Sequence, residues 1–479
     1  MQMNSRITVT IKKNSSLYKK QLNKMKQSII ILILIISNNI FAQMPNTISK
    51  SEKVYGLSKF WQEVNYNFVY LYKIDREKWN NQYIKLISEV QETKNDYEYY
   101  RLLQRFCASL KDGHTDIYFP KEIHNKIYNT NFGNYRIFLT NINGKAIVTR
   151  VNLSKKREIP IGTEIVKVNG LKTSDYINKF IKPYISSSTK YILEDRSIRD
   201  LFKAPNGTSF KVEMKLPNGE IKQITLVHSD TKEKKVYPKF KNRELLDFKW
   251  LGNKTAYVSL NSFSKSKIDT LFYEILPKLY KAKKLIIDLR YNGGGNTGIG
   301  FNILQYLVND TLLYGSKSTS RLHIPVYKAW GRWTEAKDTI NDKWAKQEYL
   351  SYRDNYFYEF SNEPDTIKIK EKRIVIPTVL LIGHHTASAA EDFLIYTENQ
   401  KHMTKIGESS FGSTGQPMFF KLPGGGIARV CTKKDTYPDG KEFVGYGIQP
   451  DIEIKKSLID YLEGKDPVLD KAIEYLNIK

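Results

Sequence analysis

A serine standing where a strand gives way to a helix is the first residue of this chain that could do chemistry. The segment reads Gly383-His384-His385-Thr386-Ala387-Ser388-Ala389-Ala390-Glu391. An apolar run ends at Gly383, small residues suit a tight turn, and a helix is expected to begin near Ser388. At such a helix start the unpaired N–H groups and the helix dipole favour negative charge. An oxyanion developing beside Ser388 would be stabilised there. The same serine would also serve as a plain helix cap. A second loop bears on that choice: Asp288-Leu289-Arg290-Tyr291-Asn292-Gly293-Gly294-Gly295-Asn296 leaves an apolar strand through three glycines. Backbone of this kind can approach a ligand closely and aim N–H groups at it. A phosphate loop is the competing reading, but the Gly-Lys-Ser/Thr ending is absent, as are the spaced glycines of a dinucleotide fingerprint. A nucleophilic serine also needs a base. Among seven histidines, His114 in Leu110-Lys111-Asp112-Gly113-His114-Thr115-Asp116 sits amid turn residues between a helical and a β-like stretch. His384 and His385 are expected to line the cleft from the turn itself.

The elements that must position these residues follow from hydrophobic spacing. Between residues 50 and 112, Leu57, Phe60, Trp61, Val64 and Phe68, then Tyr99, Leu102, Leu103, Phe106 and Leu110, recur at helical intervals. From about 130 to 230 the pattern turns to short alternating runs broken by Asn-Gly at 143–144, 169–170, 206–207 and 218–219, the signature of hairpins. Beyond 245, strands and helices alternate: strand at 255–260, helix at 268–281, strand at 285–289, helix at 297–308, strand at 378–382. Such alternation predicts an α/β core. Residues 315–373, rich in Trp, Tyr, Lys and Asp with little periodicity, read as an insertion or lid.

Five segments in order carry a family resemblance. Leu110-Lys-Asp-Gly-His114-Thr, Leu285-Ile-Ile-Asp-Leu-Arg-Tyr-Asn-Gly-Gly-Gly295, Thr386-Ala-Ser388-Ala-Ala-Glu391, Gly407-Glu-Ser-Ser-Phe-Gly412 and Gly447-Ile-Gln-Pro-Asp451 resemble the C-terminal-processing and tricorn-type serine peptidases, from about residue 50 to 455. The resemblance implies a crotonase-like ββα peptidase core over 245–479, an N-terminal helical region over 43–125 that carries the histidine, and a mainly β, PDZ-like domain over 126–235. Ile159-Pro-Ile-Gly162-Thr-Glu-Ile165-Val-Lys-Val168-Asn-Gly170 is similar to a strand and turn of that domain, which in the family binds peptide tails by strand addition or gates the cleft. Residue by residue, Ser388 falls on the nucleophile. Ala389 and Gly294 or Gly295, with Gly295 favoured, fall on the oxyanion-hole donors. The C-terminal-processing branch takes its lysine base from a Phe-Gly-Lys pattern; here it is Phe411-Gly412-Ser413, and the lysine is missing. The tricorn branch uses a histidine where His114 lies. The serine that precedes that histidine in tricorn is Gly113 here, and the orienting glutamate, usually directly before a Gly-x-Gly, is Val444. The nearest acid, Glu442, is its candidate. The implied activity is peptide hydrolysis through an acyl-enzyme, needing no metal or cofactor, with peptide or protein substrates as partners. Two alternatives stand beside it: a non-catalytic ligand-binding protein on the same scaffold, and an acyl-CoA enzyme of the crotonase type.

Whole-chain properties fit a globular protein. The chain has 479 residues, 41% hydrophobic and 13% aromatic, with a mean hydropathy of −0.48, which excludes a multi-span membrane protein and a disordered chain. The charge of +26 is spread thinly, without a nucleic-acid-binding motif, so no nucleic-acid partner is expected. Cys107 and Cys431 have no metal-ligand spacing. Residues 1–42 read as a leader and signal peptide: Met25 as the start, an apolar run from Ile29 to Ile36 too short to span a bilayer, and a small residue before a cleavage point after Ala42. An exported protein is expected, in the periplasm, cell envelope or medium, with no stable membrane span after removal of the leader.

Overall fold

The computed structural model describes residues 44–252 and 254–478; the expected leader and signal peptide lie outside the described residues. Ser49 and Glu52 form a capping box that starts helix α1 (Lys50–Asn67), and Asp75 and Asn95 cap α2 (Arg76–Gln91) and α3 (Asp96–Ala108). Side-chain oxygens at these positions satisfy N–H groups that the first turn leaves unpaired. The buried faces carry Leu57, Phe60 and Val64 on α1 and Tyr99, Leu103 and Phe106 on α3, and Trp79 of α2 stacks on Phe106 at 3.8 Å. After α3 the chain turns through His114 into a short strand, β1 (Asp116–Tyr118).

The next unit is an antiparallel sheet of β2 (Tyr135–Ile142), β3 (Lys145–Asn152), β4 (Glu164–Val168), β5 (Ser209–Lys215) and β6 (Ile221–Val227), paired in the order β6-β5-β4-β3-β2. In β5, Phe210, Val212 and Met214 alternate inward between exposed or half-buried neighbours, the period of a sheet with one covered face. The cover comes partly from two helices that the alternating pattern conceals, Thr173–Phe180 and α4 (Lys190–Arg199).

The third unit opens with β7 (Leu246–Leu251) and β8 (Thr255–Leu260) and continues through α5 (Lys267–Leu279), β9 (Lys284–Asp288), α6 (Thr297–Leu304), β10 (Thr378–Ile382), α7 (Ala389–Tyr396) and β11 (Met403–Gly407). A hairpin, β12 (Pro417–Lys421) and β13 (Ile427–Cys431), precedes β14 (Ile452–Glu453) and α8 (Pro467–Ile478). The sheet order is β7-β8-β9-β10-β11-β14; β7 is antiparallel to β8 and every other pair is parallel. Leu285, Ile287 and Leu380 face α5, α6 and α7 on one side, while Ile286, Val379 and Leu381 face Val468, Ala472 and Leu476 of α8 on the other. Burial on both faces is why β9 and β10 read as unbroken apolar runs. The result is an α/β fold. Within 315–373, Lys317–Arg321 pairs with both Phe357–Glu359 and Lys433–Thr436, so this stretch is tied to the main body by strand pairing.

The N-terminal helices share their core with the β12–β13 hairpin: Leu422, Ala428, Val430 and Cys431 pack among Leu57, Phe60, Tyr99 and Phe106. Cys107 and Cys431 both lie in this core as free thiols, their pKa values pushed up by burial. Strand β1 pairs antiparallel with β13, Asp116 opposite Arg429 and Tyr118 opposite Ile427. Among the described residues no helix is long and apolar enough to cross a membrane.

Two contacts hold the frame around the carboxyl ends of β9 and β10. Asp288, almost fully buried, accepts from Tyr257 Oη at 2.8 Å and from Arg290, whose fork also grips Asp466 at 2.7 and 2.9 Å. The Arg290→Ala variant strands a buried carboxylate, and we expect a loss of about 3–5 kcal/mol in urea unfolding; a change near zero would show that Asp288 does not depend on this partner. The second contact joins the middle unit to the core. His384 Nδ1 lies 2.6 Å from Asp195 Oδ2 of α4 and stacks on Tyr191, with Glu408 and Lys455 as further charged neighbours. Burial disfavours the ring's charge, but the hydrogen bond to Asp195 and the charges of Asp195 and Glu408 outweigh it and raise the pKa. A histidine whose pKa is raised on folding contributes stability fully below its unfolded pKa and loses it as pH rises through the folded one. The urea midpoint is therefore expected to fall between about pH 6 and about pH 9 by more in the wild type than in Asp195→Asn; equal pH dependence in both would dismiss this link.

Candidate active site

Two parallel strands place the two glycine- and serine-bearing loops side by side. Leu289 N–H donates to Leu381 O at 2.9 Å, carrying the pairing of β9 and β10 one step past Asp288. Carboxyl ends of adjacent parallel strands are where α/β sheets hold ligands. Thr386 Oγ donates to Leu289 O and accepts from Gly383 N–H, and Ala387 N–H donates to Asn292 O at 3.0 Å. The two loops are thus stitched to each other before α7 begins.

Ser388 sits at the N-cap of α7, half-buried, with φ 55° and ψ −124°. A positive φ on a residue with a Cβ costs on the order of 1–3 kcal/mol and persists only where the surroundings over-determine it. They do so here. Glu391 Oε2 accepts the Ser388 N–H at 3.0 Å, and Glu391 Oε1 accepts from Ser410 Oγ and from Gly412 N–H, the latter at 2.7 Å. Complete burial pushes the Glu391 carboxyl up to about 8, although those three donors pull it down. Glu391 therefore joins the serine turn to the segment Ser410–Thr414, a role that its place three residues after Ser388 signals only as a capping pattern.

Gly294 lies against the serine. A Cβ there would come within 2.6 Å of Ala387 O, 2.7 Å of Ser388 Cβ and 2.9 Å of Ala389 N, and its φ of +89° excludes most other residues in any case. Its own N–H donates to Asn292 Oδ1 at 2.9 Å. Among the described residues the Gly295 N–H and the Ala389 N–H, the first of α7, meet no acceptor. Of the two glycine candidates, Gly295 is thus the one with a donor to spare.

His114 reaches the same place from the N-terminal layer. Pairing of β1 with β13 holds its segment, reinforced by Arg429 donating to Gly113 O at 3.2 Å and Cys431 N–H to Thr115 Oγ at 3.0 Å. Its ring is buried, and its Nδ1 lies 2.7 Å from Ser413 Oγ. Burial, followed by the cationic Arg429, Arg196 and Lys433, lowers its pKa to about 3, so the imidazole is neutral near pH 7. No direct hydrogen bond joins it to Ser388. The two are linked through shared anchoring: His114 on Ser413, Ser388 through Glu391 on Ser410 and Gly412.

Glu442 is not brought to this cluster. Its carboxylate pairs with Lys73 at 2.9 Å and Lys434 at 2.6 Å, two ammonium groups that satisfy it and depress its pKa despite partial burial. The position expected of an orienting acid at His114 is taken by Ser413. Nothing in the sequence alone marks Ser413 for this contact except its place in the Phe-Gly-Lys pattern, where it stands for the lysine. His384 and His385 do lie in the turn, the first engaged by Asp195, the second exposed against Tyr291 at 6.4 Å. Among the described residues no three His, Cys, Asp or Glu side chains are grouped to hold a metal ion.

Known proteins resemble this chain over most of its length. The profile of Peptidase family S41 matches residues 254–454, the stretch that contains β8 to β14 and both loops. The chain is 23% identical over 449 residues to a carboxyl-terminal-processing protease of Picosynechococcus sp., covering 92% of each chain, and 22% identical over 438 residues to one of Synechocystis sp., covering 88% of this chain and 86% of that one. The solved structure of mature CPAF shares the fold, with a TM-score of 0.63 at 13% identity over 88% of this chain and 96% of that chain. The chain carries a Peptidase family S41 domain and is a serine-type peptidase.

Proposed function

We propose that this peptidase is exported and cleaves peptide bonds by acyl transfer, with Ser388 as nucleophile and His114 as general base. The observation that carries the reading is the strained backbone of Ser388, pressed against Gly294 and followed by the unpaired N–H of Ala389. Strain of this kind is maintained against a standing cost, and here it falls on a serine flanked by loops that carry two backbone N–H groups without acceptors. His114 takes the Ser388 proton as the hydroxyl attacks the carbonyl carbon. The Ala389 and Gly295 N–H groups receive the oxyanion, the amine leaves with the proton from His114, and water repeats the sequence to free the acid. Catalytic hydrogen bonds are commonly long before substrate closes the site, so the missing Ser388–His114 bond is compatible with this role.

The relatives named as carboxyl-terminal-processing proteases favour substrates cut near a chain end. The middle unit, bound to the serine turn through Asp195 and His384, is proposed as a PDZ-like peptide-binding or gating domain. Export rests on the leader-like residues 1–42.

Two measurements test the chemistry. A fluorophosphonate probe is expected to label the wild type at Ser388, and Ser388→Ala and His114→Ala are each expected to lower turnover of a peptide substrate by a factor of about 10³ or more with an unchanged melting temperature. An unlabelled wild type without turnover would leave the scaffold in use as a ligand-binding protein instead, and a variant that keeps its turnover would overturn the role assigned to that residue.

A further inference from the structure

We propose that Ser413 is the positioning residue for His114, a neutral hydroxyl in the place where such a relay would hold an acid. The proposal rests on the reading of His114 as the base of Ser388. Its ground is a contact: the His114 Nδ1 and Ser413 Oγ atoms lie 2.7 Å apart between two buried side chains. For Nε2 to accept a proton, Nδ1 must carry the ring's hydrogen; the Ser413 hydroxyl can donate or accept at this contact, and the proposal gives it the accepting role, which selects that tautomer.

Ser413 is well placed to be fixed. Gly412 donates its N–H to Glu391 and its carbonyl accepts from Gly445 N–H at 2.8 Å, while Thr414 Oγ donates to buried Asp435 at 3.3 Å. The approach also depends on a glycine. A Cβ at Gly113 would stand 2.9 Å from Ser413 Oγ and 3.0 Å from Ser413 Cβ and the Phe411 ring, so any side chain at 113 would displace the hydroxyl or the histidine. The absence of a serine before His114 and the presence of one at 413 are thus two sides of one arrangement.

Among the described residues the contact at Nδ1 is to Ser413 Oγ and not to a carboxylate. The charges acting most strongly on the ring are the cations Arg429 of β13, Arg196 of α4 and Lys433. On the ring's own segment, Asp112 accepts from Ser188 Oγ, and Asp116 Oδ1 accepts its neighbour's N–H. Glu391 is committed to Ser388, Ser410 and Gly412, and Glu442 to Lys73 and Lys434. A hydroxyl stabilises the imidazolium less than a carboxylate does, which accords with a ring that resists protonation.

The test combines pH profiles with a direct reading of the ring. Ser413→Ala is expected to lower kcat by roughly 10- to 100-fold with KM little changed, and Ser413→Asp to move the acid limb of the kcat/KM profile upward by about 1–2 pH units. Nitrogen-15 NMR of histidine-labelled protein should find the Nδ1–H tautomer of His114 in the wild type and a mixture of tautomers in Ser413→Ala. An Ala variant with wild-type kcat, an Asp variant with an unmoved acid limb, or a tautomer indifferent to residue 413 would overturn the proposal. The NMR reading needs no turnover, so it separates failure of this contact from failure of the acyl-transfer mechanism, which the fluorophosphonate probe reports on its own.

Discussion

Residues Ser410–Thr414 carry the constraint on which the other parts of the site depend. Three independent elements make hydrogen bonds to this stretch: the N-terminal layer through His114 and Ser413, the helix after the serine through Glu391, and the middle unit through Tyr191, whose hydroxyl donates to Ser410 O. Its own geometry is unusual enough to need glycine, with Gly412 at φ +69° and a Cβ there meeting Gly447 N at 2.6 Å. Because His114 and Ser388 make no bond to each other, their relative placement is only as good as this common anchor. Movement of the segment would shift the proposed base and nucleophile separately, and a displacement of about 1 Å in such groups is enough to matter for catalysis.

The electrostatics follow from how deeply that anchor is buried. Glu391 is completely buried and met by three donors, and burial pushes its carboxyl up to about 8. It can hold the serine turn in shape without contributing a full negative charge beside the place where an oxyanion would form. Were it a solvated carboxylate, its charge would oppose that oxyanion across a short distance of low dielectric. The same burial that costs Glu391 its charge thus suits it to a structural task close to the reacting atoms.

Much of this was legible from residue patterns, and the gaps have physical causes. The strand at 255–260 and the strand at 378–382 coincide with their expected ranges, the latter as an apolar run buried on both faces, and the helices expected at 268–281 and 297–308 occur as Lys267–Leu279 and Thr297–Leu304, where one buried face leaves a helical period. The turn and helix-start settings of Ser388, the three-glycine loop and His114 are readable from residue type, whereas the parts given to Ala389, Gly294 and Gly295 rest on the family resemblance. Two helices of the middle unit were missed: Thr173–Phe180 and Lys190–Arg199 are short, and their buried residues are too few to show a helical rhythm among neighbouring strands. Glu442 was chosen as the nearest acid along the chain, but chain proximity says nothing about which cations lie beside it in space, and Lys73 comes from over 300 residues away. Ser413 was visible only as a missing lysine. That a serine there would touch His114 depends on β1 pairing with β13, a contact between distant strands that no local pattern encodes.

The low basicity of His114 bears on the order of events in the proposed reaction. Burial and three cations hold the ring neutral, with a pKa of about 3, so in the resting protein it has little tendency to withdraw the Ser388 proton. The balance changes only when negative charge appears near it. An oxyanion held by Ala389 and Gly295 would face the imidazolium in a site of low dielectric, where attraction between opposite charges is several times stronger than in water. Proton transfer and carbonyl attack would then support each other, each supplying the charge that makes the other favourable. A neutral hydroxyl at Ser413, in the accepting role proposed for it, would hold the ring in the tautomer that the transfer requires.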